Sequence, residues 1–490
     1  MSIKDRHIKN IFVYSAPSLV GYTVGLITMP IMTRLLTPMD YGIVAMSLIF
    51  PVMAVSVFAL GSAEATRRSY FVYRTDEARL RSLVTSTQVF LFMMFLFSCT
   101  VVFLFKDLIA QVIFQQGGYG NAVMVAFVAT FLGRIVTFYL NLYQCMERAK
   151  EYAFFLLMQM ILGSAFSLFY VWFFKLSYMG PLWGSLTAVS IVGSILFFRF
   201  NVKYAFSFDR KVLFENISYG LQLVPKSFTG IINKYFDKYM LNSMLSLSAV
   251  GVYNIGQNIG LMLFNLVAAA WNSFQPVFYK EAFDRGPAAS QAIGRLFTLF
   301  SYLTLSPIML VVLFSREIIF IMAPPSYYGA VPVIIIVACA FASNIFGAFI
   351  GLQYAYSKKA YLIFPITIVG TIINVAANIL LIPKLGIMGA AFATLITYIG
   401  MNGILVLVGQ RLYKVAYEWK FLSPMYLSVL ASAFLLLYLH DFAPNNYLLY
   451  AVKVMLGLTF LFVGYKSNIM TKEKISRVIM MFQGGEKVAA

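Results

Sequence analysis

Charged residues are scarce in this chain. Asp, Glu, Lys and Arg make up 11% of its 490 residues, against 61% hydrophobic residues. A soluble domain carries about 25% charge, so a chain this long and this apolar cannot cover itself with polar surface in water. Histidine is rarer still. His7 and His440 are the only two, neither lies mid-membrane, and no histidine proton relay is expected. The three cysteines, Cys99, Cys145 and Cys339, lack metal-ligand spacing and sit in or at the ends of apolar runs, where they read as packing residues. No nucleotide-binding loop precedes a helix, and there are no paired catalytic carboxylates, no nucleophile elbow and no metal-ligand cluster. Long polar loops are missing too. The longest connections lie near 62–82 and 280–295, which leaves no extramembrane domain to house a soluble active site. The expectation is a protein that is not an enzyme and holds no cofactor and no metal.

What the chain has instead is apolar runs. A spanning helix needs about 20 mainly apolar residues. Fourteen segments qualify, near 11–33, 41–62, 83–105, 121–145, 152–174, 180–199, 215–241, 247–279, 296–315, 330–356, 361–382, 387–409, 422–439 and 446–465. The first run is longer than the apolar core of a signal peptide, so it reads as a retained helix.

The chain also repeats itself at a spacing of 209 residues. Lys175-Leu176-Ser177-Tyr178-Met179-Gly180 recurs as Lys384-Leu385-Gly386-Ile387-Met388-Gly389. In the same register Gln144 falls on Gln353, Lys150 on Lys359, Tyr152 on Tyr361, and Tyr41-Gly42-Ile43 on Val250-Gly251-Val252. Two similar halves in a membrane protein point to a transporter with its site between them. Residues 1–205 are read as one six-helix lobe and 206–412 as a second. Two extra helices over 413–465 and a basic tail at 466–490 follow. Six spans per lobe give both lobes one orientation, related by an axis along the membrane normal. The expected fold is thus an all-α integral membrane protein: two parallel six-helix bundles around a central cavity, plus two extra C-terminal helices.

The net charge of +19 is a matter of topology. With the N-terminus in the cytoplasm, most basic residues fall on one side. They include Lys4, Arg6 and Lys9, the run Arg67, Arg68, Arg74, Arg79 and Arg81, and the tail beyond Lys466. That asymmetry marks cytoplasmic loops and places both termini there. No nucleic-acid footprint is required. Five basic residues fall inside spans: Arg134, Lys226, Lys234, Lys238 and Lys453.

Three spans carry polar stripes at helical spacing. Thr130, Arg134, Thr137, Asn141 and Gln144 share one face of the fourth. Gln222, Lys226, Gly230, Asn233 or Lys234, and Asp237 share a face of the seventh, with Lys238 beside it. Asn254, Asn258, Asn265, Asn272 and Gln275 form a stripe on the eighth. A central charge facing lipid costs about 2.5–3.5 kcal/mol on insertion scales, so these faces line protein or water. The asparagines of the eighth span read equally as interhelical glue. Lys238 and Lys453 lie near span ends and read as snorkelling, Lys453 foremost. Asp237 has Lys234 three residues before it as a partner, which leaves Lys226 and Arg134 as unpaired cations and the foremost functional candidates. Pro17 and Pro225 hold nearly matching places in the first helix of each half and read as hinges or as static kinks. The tail at 471–482 reads either as a helix on the inner leaflet or as a solvated end.

Two motifs carry a resemblance. Arg34-Leu35-Leu36-Thr37-Pro38-Met39-Asp40-Tyr41-Gly42 resembles the R-L-L-x-P-x-x-Y-G start of the polysaccharide and O-antigen flippases. Asp237-Lys238-Tyr239-Met240-Leu241, followed by Ser248-Ala249-Val250-Gly251-Val252-Tyr253, is similar to their junction between the seventh and eighth helices. These proteins belong to the multidrug/oligosaccharidyl-lipid/polysaccharide exporter (MOP) superfamily. The resemblance implies flipping of an undecaprenyl-diphosphate-linked oligosaccharide from the cytoplasmic to the periplasmic leaflet of a bacterial inner membrane, for surface polysaccharide biosynthesis. Arg134, Lys226, Lys234 and Lys238, with Asn141 and Asn258, would then serve the anionic head group. By analogy a H⁺ or Na⁺ gradient drives the cycle, with Asp237 and Glu64 as candidate coupling carboxylates, and other polysaccharide assembly proteins are partners beside membrane lipids. The family usually has Arg where Lys238 stands, which keeps charge and changes geometry. Alternatives are a lipid II flippase or multidrug exporter of the same superfamily, or a membrane polysaccharide polymerase or ligase. The cationic balance inside the spans disfavours export of cationic drugs, and the short outer loops disfavour the enzyme.

Overall fold

The computed structural model describes residues 17, 20, 21, 23–442 and 446–466, the side chains at 226, 227, 229, 262–273, 440–442 and 446 excepted. The basic tail beyond Lys466, and Lys4, Arg6 and Lys9, lie outside the described residues. Among those described, helices carry the whole fold and no strand occurs. In chain order they are α1 (Thr23–Leu35), α2 (Pro38–Ser47), α3 (Ile49–Phe58), α4 (Ser62–Tyr73), α5 (Glu77–Phe114), α6 (Gly120–Cys145), α7 (Ala149–Trp172) and α8 (Met179–Lys203). There follow α9 (Arg210–Met244), α10 (Leu247–Arg285), α11 (Ser290–Met322), α12 (Ala330–Tyr356), α13 (Ile363–Leu385), α14 (Ile387–Leu412), α15 (Trp419–Phe442) and α16 (Asn446–Lys466).

Eleven helical stretches among the described residues are long and apolar enough to cross a membrane. Of the other three predicted spans, the part of 11–33 from Thr23 onward falls in α1, and the remaining two coincide with α9 and the body of α10. The last two carry polar stripes, as α6 also does. This is an all-α integral membrane protein. Exposed large apolar side chains, such as Phe92, Leu96, Phe103 and Leu104 along α5, supply the surface that a bilayer covers.

One connection differs from its expected form. Residues 62–73, read as the start of a loop, form α4, and α2, α3 and α4 together make one apolar stretch of 36 residues, Pro38–Tyr73. The stretch starts sharply. Thr37 caps α2 and exchanges hydrogen bonds with Asp40, and Pro38 fills the first turn where no N–H is needed. It breaks at Leu60 and Gly61, whose φ values are 47° and 61°. A Cβ at Gly61 would run into the carbonyl oxygen of Gly220, so the break lies where α9 crosses against backbone. The run of charge after Ser62 hid this helix from a reading based on apolar length.

The chain divides into two compact units, Met1–Asn254 and Ile255–Ala490. In the first, α6 packs on α5 and α8, α7 on α8, and α9 on α3, α4 and α5. Its core is aromatic: Phe127, Phe131, Phe138, Tyr139, Tyr143, Phe155 and Phe200 are buried together. In the second, α14 packs on α12 and α13, and α11 on α12 and α15. Helix α11 kinks at Phe314, where φ is −106° and ψ is 18°, close to the predicted end of its span.

Candidate functional site

Charge enters the first unit on α4. Glu64, Arg67 and Arg68 stand at i, i+3 and i+4 and so share one face. Ser62, Thr66, Ser69 and Tyr73 share another, which is buried. The charged face meets α6. Arg134 Nη1 donates to Glu64 Oε1 in an ion pair whose side chains remain 25% and 42% exposed. Two turns further along α6, Asn141 is only 2% exposed. Its Oδ1 accepts from Arg67 Nη2 at 2.6 Å, and its Nδ2 donates to the Ala63 carbonyl at 2.8 Å. Thr130 and Thr137 turn their hydroxyls onto carbonyls of their own helix, at 2.7 and 2.8 Å. The α6 stripe is therefore divided. Its threonines bond inward, while Arg134 and Asn141 reach α4.

The buried face of α4 meets α9. Asn216 is fully buried and joins three helices. Its Oδ1 accepts from Ser69 Oγ at 2.9 Å. Its Nδ2 lies within hydrogen-bond reach of the Ser62 carbonyl at 3.4 Å, Thr66 Oγ1 at 3.3 Å and Thr87 Oγ1 at 3.2 Å. Tyr73 donates its hydroxyl to Glu215. The Arg68 guanidinium lies 4.7 Å from the centre of the Tyr219 ring, a cation–π contact. Arg67 and Arg134 thus tie α4 to α6, Arg68 lies against α9, and Arg67 and Arg68 are exposed. A guanidinium carries about five donors in a planar fork. One carboxylate and one amide oxygen engage only part of what Arg134 and Arg67 offer, which suits this face to an anion with several oxygens.

Several expectations change here. Arg134, read as an unpaired cation, has Glu64 as its partner. Glu64, read as a coupling candidate, is that partner. Asp237 is 2% exposed and accepts from Tyr253 Oη at 3.0 Å. Lys238 is 5% exposed, donates to Asn254 Oδ1 at 2.7 Å and lies 5.5 Å from the Tyr235 ring centre. Lys234 is exposed, with its Nζ 5.3 Å from the same ring. Lys453, read as snorkelling, is 4% exposed and donates to both oxygens of Glu317, at 2.6 and 2.7 Å. Asn258 is half-buried in the second unit. The side chains of Lys226, Asn265 and Asn272 lie outside the described residues.

The residues that sequence reading missed are Arg67, Arg68, Glu215 and Asn216. The first two were counted as loop charge. Their helical spacing from Glu64 was the available signal. A separate cleft of about 520 Å³ between α1, α7 and α8 is lined by Thr28, Gln159, Ser164 and Ser185 and holds no charged residue. Among the described residues no group of three or more His, Cys, Asp or Glu is placed to hold a metal.

Comparison with known proteins agrees with this architecture. The family model described as "Polysaccharide biosynthesis protein" matches residues 7–280, a stretch that contains α4, α6 and α9. An uncharacterized membrane protein of Methanocaldococcus jannaschii is 25% identical over 431 residues, covering 81% of this chain and 83% of its own. Among solved structures, the lipid II flippase MurJ in an inward closed conformation aligns with a TM-score of 0.72 at 14% identity, over 94% of this chain and 100% of that one. A MOP-superfamily transporter from Pyrococcus furiosus, described as having a binding pocket of reverse polarity, aligns with a TM-score of 0.59 at 13% identity, over 83% and 96%. An inward-facing multidrug resistance transporter of the MATE family gives 0.56 at 14% identity, over 84% and 95%. These likenesses establish the fold, and with more than half of the sequence matched by one family, the chain belongs to the polysaccharide biosynthesis protein family of multi-pass membrane proteins.

Proposed function

We propose that the protein flips undecaprenyl-diphosphate-linked oligosaccharide repeat units from the cytoplasmic to the periplasmic leaflet of a bacterial inner membrane, by alternating access between two repeated halves, 1–205 and 206–412, with both termini in the cytoplasm. The observation that carries this reading is the pair of partly engaged guanidiniums between α4 and α6, those of Arg134 and Arg67. A diphosphate with attached sugars cannot cross hydrocarbon unaided, since each unpaired polar group costs several kcal/mol there. Partly desolvated guanidiniums bind phosphate oxygens in a bidentate fork. Lys234 extends the cationic surface along α9, and Lys226 belongs to the same sequence stripe. The lipid tail stays in the bilayer while the head group passes.

The Arg134–Glu64 pair supplies a route to ion coupling. A diphosphate that engages Arg134 competes with Glu64, and a released carboxylate is free to take up H⁺ or Na⁺. Asp237, hydrogen-bonded to Tyr253, is the second candidate. Other polysaccharide assembly proteins would deliver and receive the substrate. A lipid II flippase is the second reading, favoured by the MurJ-like fold over nearly the whole chain.

The test is export complementation at matched expression. Arg134→Ala and Lys226→Ala should each abolish polysaccharide export while insertion stays normal. Full export by both would remove the cationic mechanism. Rescue of a strain lacking its lipid II flippase, without rescue of polysaccharide export, would replace the first reading by the second. Cysteine labelling at Lys106, Lys175 and Arg316 should come from outside; labelling of these from the side of Arg74 would overturn the topology.

A further inference from the structure

One cation near the end of α11 lacks the partner that its counterpart has. Lys106-Asp107-Leu108-Ile109 on α5 is echoed by Arg316-Glu317-Ile318-Ile319 on α11, at a spacing of 210 residues. In the first half, Lys106 Nζ donates to Asn121 Oδ1 at 2.7 Å, in the first turn of α6. The same spacing puts Val331 of α12 where Asn121 stands, and the 209-residue repeat puts Ala330 there. Both are apolar and buried. The amide oxygen that would answer Arg316 is therefore missing.

What stands beside Arg316 instead is a cavity of about 170 Å³ between α11, α12, α15 and α16, with Arg316, Tyr328, Val331 and Lys453 on its wall. One water's share of liquid volume is about 30 Å³, so the space accommodates a polyatomic ion together with water. Lys453 is closed on Glu317, and those two charges cancel. Arg316 is the charge left over. Its guanidinium lies 5.3 Å from the centre of the Phe320 ring, and Phe320 stacks on Tyr328 at 4.3 Å. Among the described residues no carboxylate pairs with Arg316. Glu317 is the only acidic residue on α11, and α12 and α16 carry none. A half-buried guanidinium without a counter-charge is costly. Its planar fork of donors is matched by two oxygens of one anion.

We propose that this cavity binds a phosphate oxyanion, with two of its oxygens on the Arg316 fork and Lys453 and Tyr328 beside it. Inorganic phosphate and the phosphodiester of an anionic lipid head group offer the same chemistry. The basic-loop asymmetry places Arg316 at the extracytoplasmic surface, where both are within reach. The bound anion joins α11 to its neighbours and takes the part that Asn121 plays in the first half. The site shares no residue with the α4–α6 face and does not depend on the transport reading.

The test uses the purified full chain, delipidated in a neutral detergent, and reads its melting temperature. Phosphate is exchanged for chloride at constant ionic strength. In a second arm, phosphatidylglycerol is exchanged for phosphatidylcholine in mixed micelles. Phosphate, phosphatidylglycerol or both should raise the melting temperature saturably. A response to phosphate supports the free ion, and a response to phosphatidylglycerol alone supports the lipid head group. Arg316→Gln should raise the half-saturating concentration at least about tenfold, as the loss of a charge-assisted contact does, while Arg134→Ala leaves it unchanged. No saturable rise in either arm would overturn the site, and so would equal titration of the unmodified chain and Arg316→Gln. Loss of the response in Arg134→Ala with retention in Arg316→Gln would also overturn it, by assigning the anion to the α4–α6 face. Because Arg316→Gln could fail to fold, Val331→Asn is measured beside it. That variant supplies the amide Lys106 has, and should abolish the response while leaving the protein folded. An unchanged response in Val331→Asn would overturn the proposal. Export is not read, so a protein that moves no oligosaccharide would still show the site.

Discussion

In the first unit Arg134 meets Glu64 with 25% and 42% of their side chains still reached by solvent; in the second, Lys453 meets Glu317 with 4% and 26%. Three of the four helices that hold these pairs are strongly apolar, the charged α4 being the exception, and the surroundings of the two pairs differ. Arg134 shares its helix face with Thr137 and Asn141, and Asn141 holds the exposed Arg67 of α4. Lys453 has the rings of Phe314 and Tyr450, at 5.8 and 5.4 Å, and gives its ammonium to both oxygens of one carboxylate. A single charge inside a membrane protein carries a functional presumption. The comparison teaches that the presumption depends on what else the charge can reach. A closed pair with every strong partner used holds helices together. An open pair beside spare donors can exchange its partner.

The largest expected effect comes from breaking the closed pair. Lys453→Ala leaves Glu317 without its cation and should cost about 3–5 kcal/mol, read as a large fall in melting temperature in detergent. Replacing both, Lys453→Met with Glu317→Leu, should recover most of that loss, and a double variant as unstable as the single would show that the pair is not the cause. Next comes the open pair. Arg134→Ala should change stability by at most about 1 kcal/mol, as an exposed pair does, while export falls at least about tenfold, equivalent to about 1.4 kcal/mol. A stability loss as large as that of Lys453→Ala would erase the contrast. Arg67→Ala should show a mixed result, because it removes a charged hydrogen bond to buried Asn141, worth about 1.5–3 kcal/mol, along with a phosphate ligand. Arg67→Lys should recover less export than stability if the planar fork matters. The smallest effect is expected at exposed Lys234, where Lys234→Ala should slow export only by a few-fold, about 0.5–1 kcal/mol, measured at matched expression.

The sequence made most of the spans legible, because a membrane helix is a local property: about 20 apolar residues in a row. It made the α6 half of the site legible as well, since Arg134 and Asn141 stand out against Phe131, Leu140 and Leu142. The α4 half was lost at the same step. A reading that seeks apolar length stops at Ser62, and a continuing helix looks like a basic loop. Partners were illegible for a different reason. Seventy residues separate Glu64 from Arg134, and 136 separate Glu317 from Lys453. No local periodicity connects such pairs. Lys453 was misread because position near a span end allows snorkelling, whereas burial against α11 is a tertiary fact. The motifs around Gly42 and Gly251 are legible in the sequence as repeats of each other; that they pack backbone on backbone is a tertiary fact.

Asn216 adds a constraint on how the chain is made. Its amide satisfies Thr66, Ser69 and Thr87 on α4 and α5, and 129 residues lie between Thr87 and Asn216. At synthesis rates of roughly 5–20 residues per second, α4 and α5 wait on the order of 10 s before α9 emerges. During that interval their polar face is inside or beside the membrane with its final partner still unmade. The nascent chain is most exposed to quality-control proteolysis at this stage, and slowing translation between α5 and α9 should lower the yield of inserted protein without altering the finished molecule.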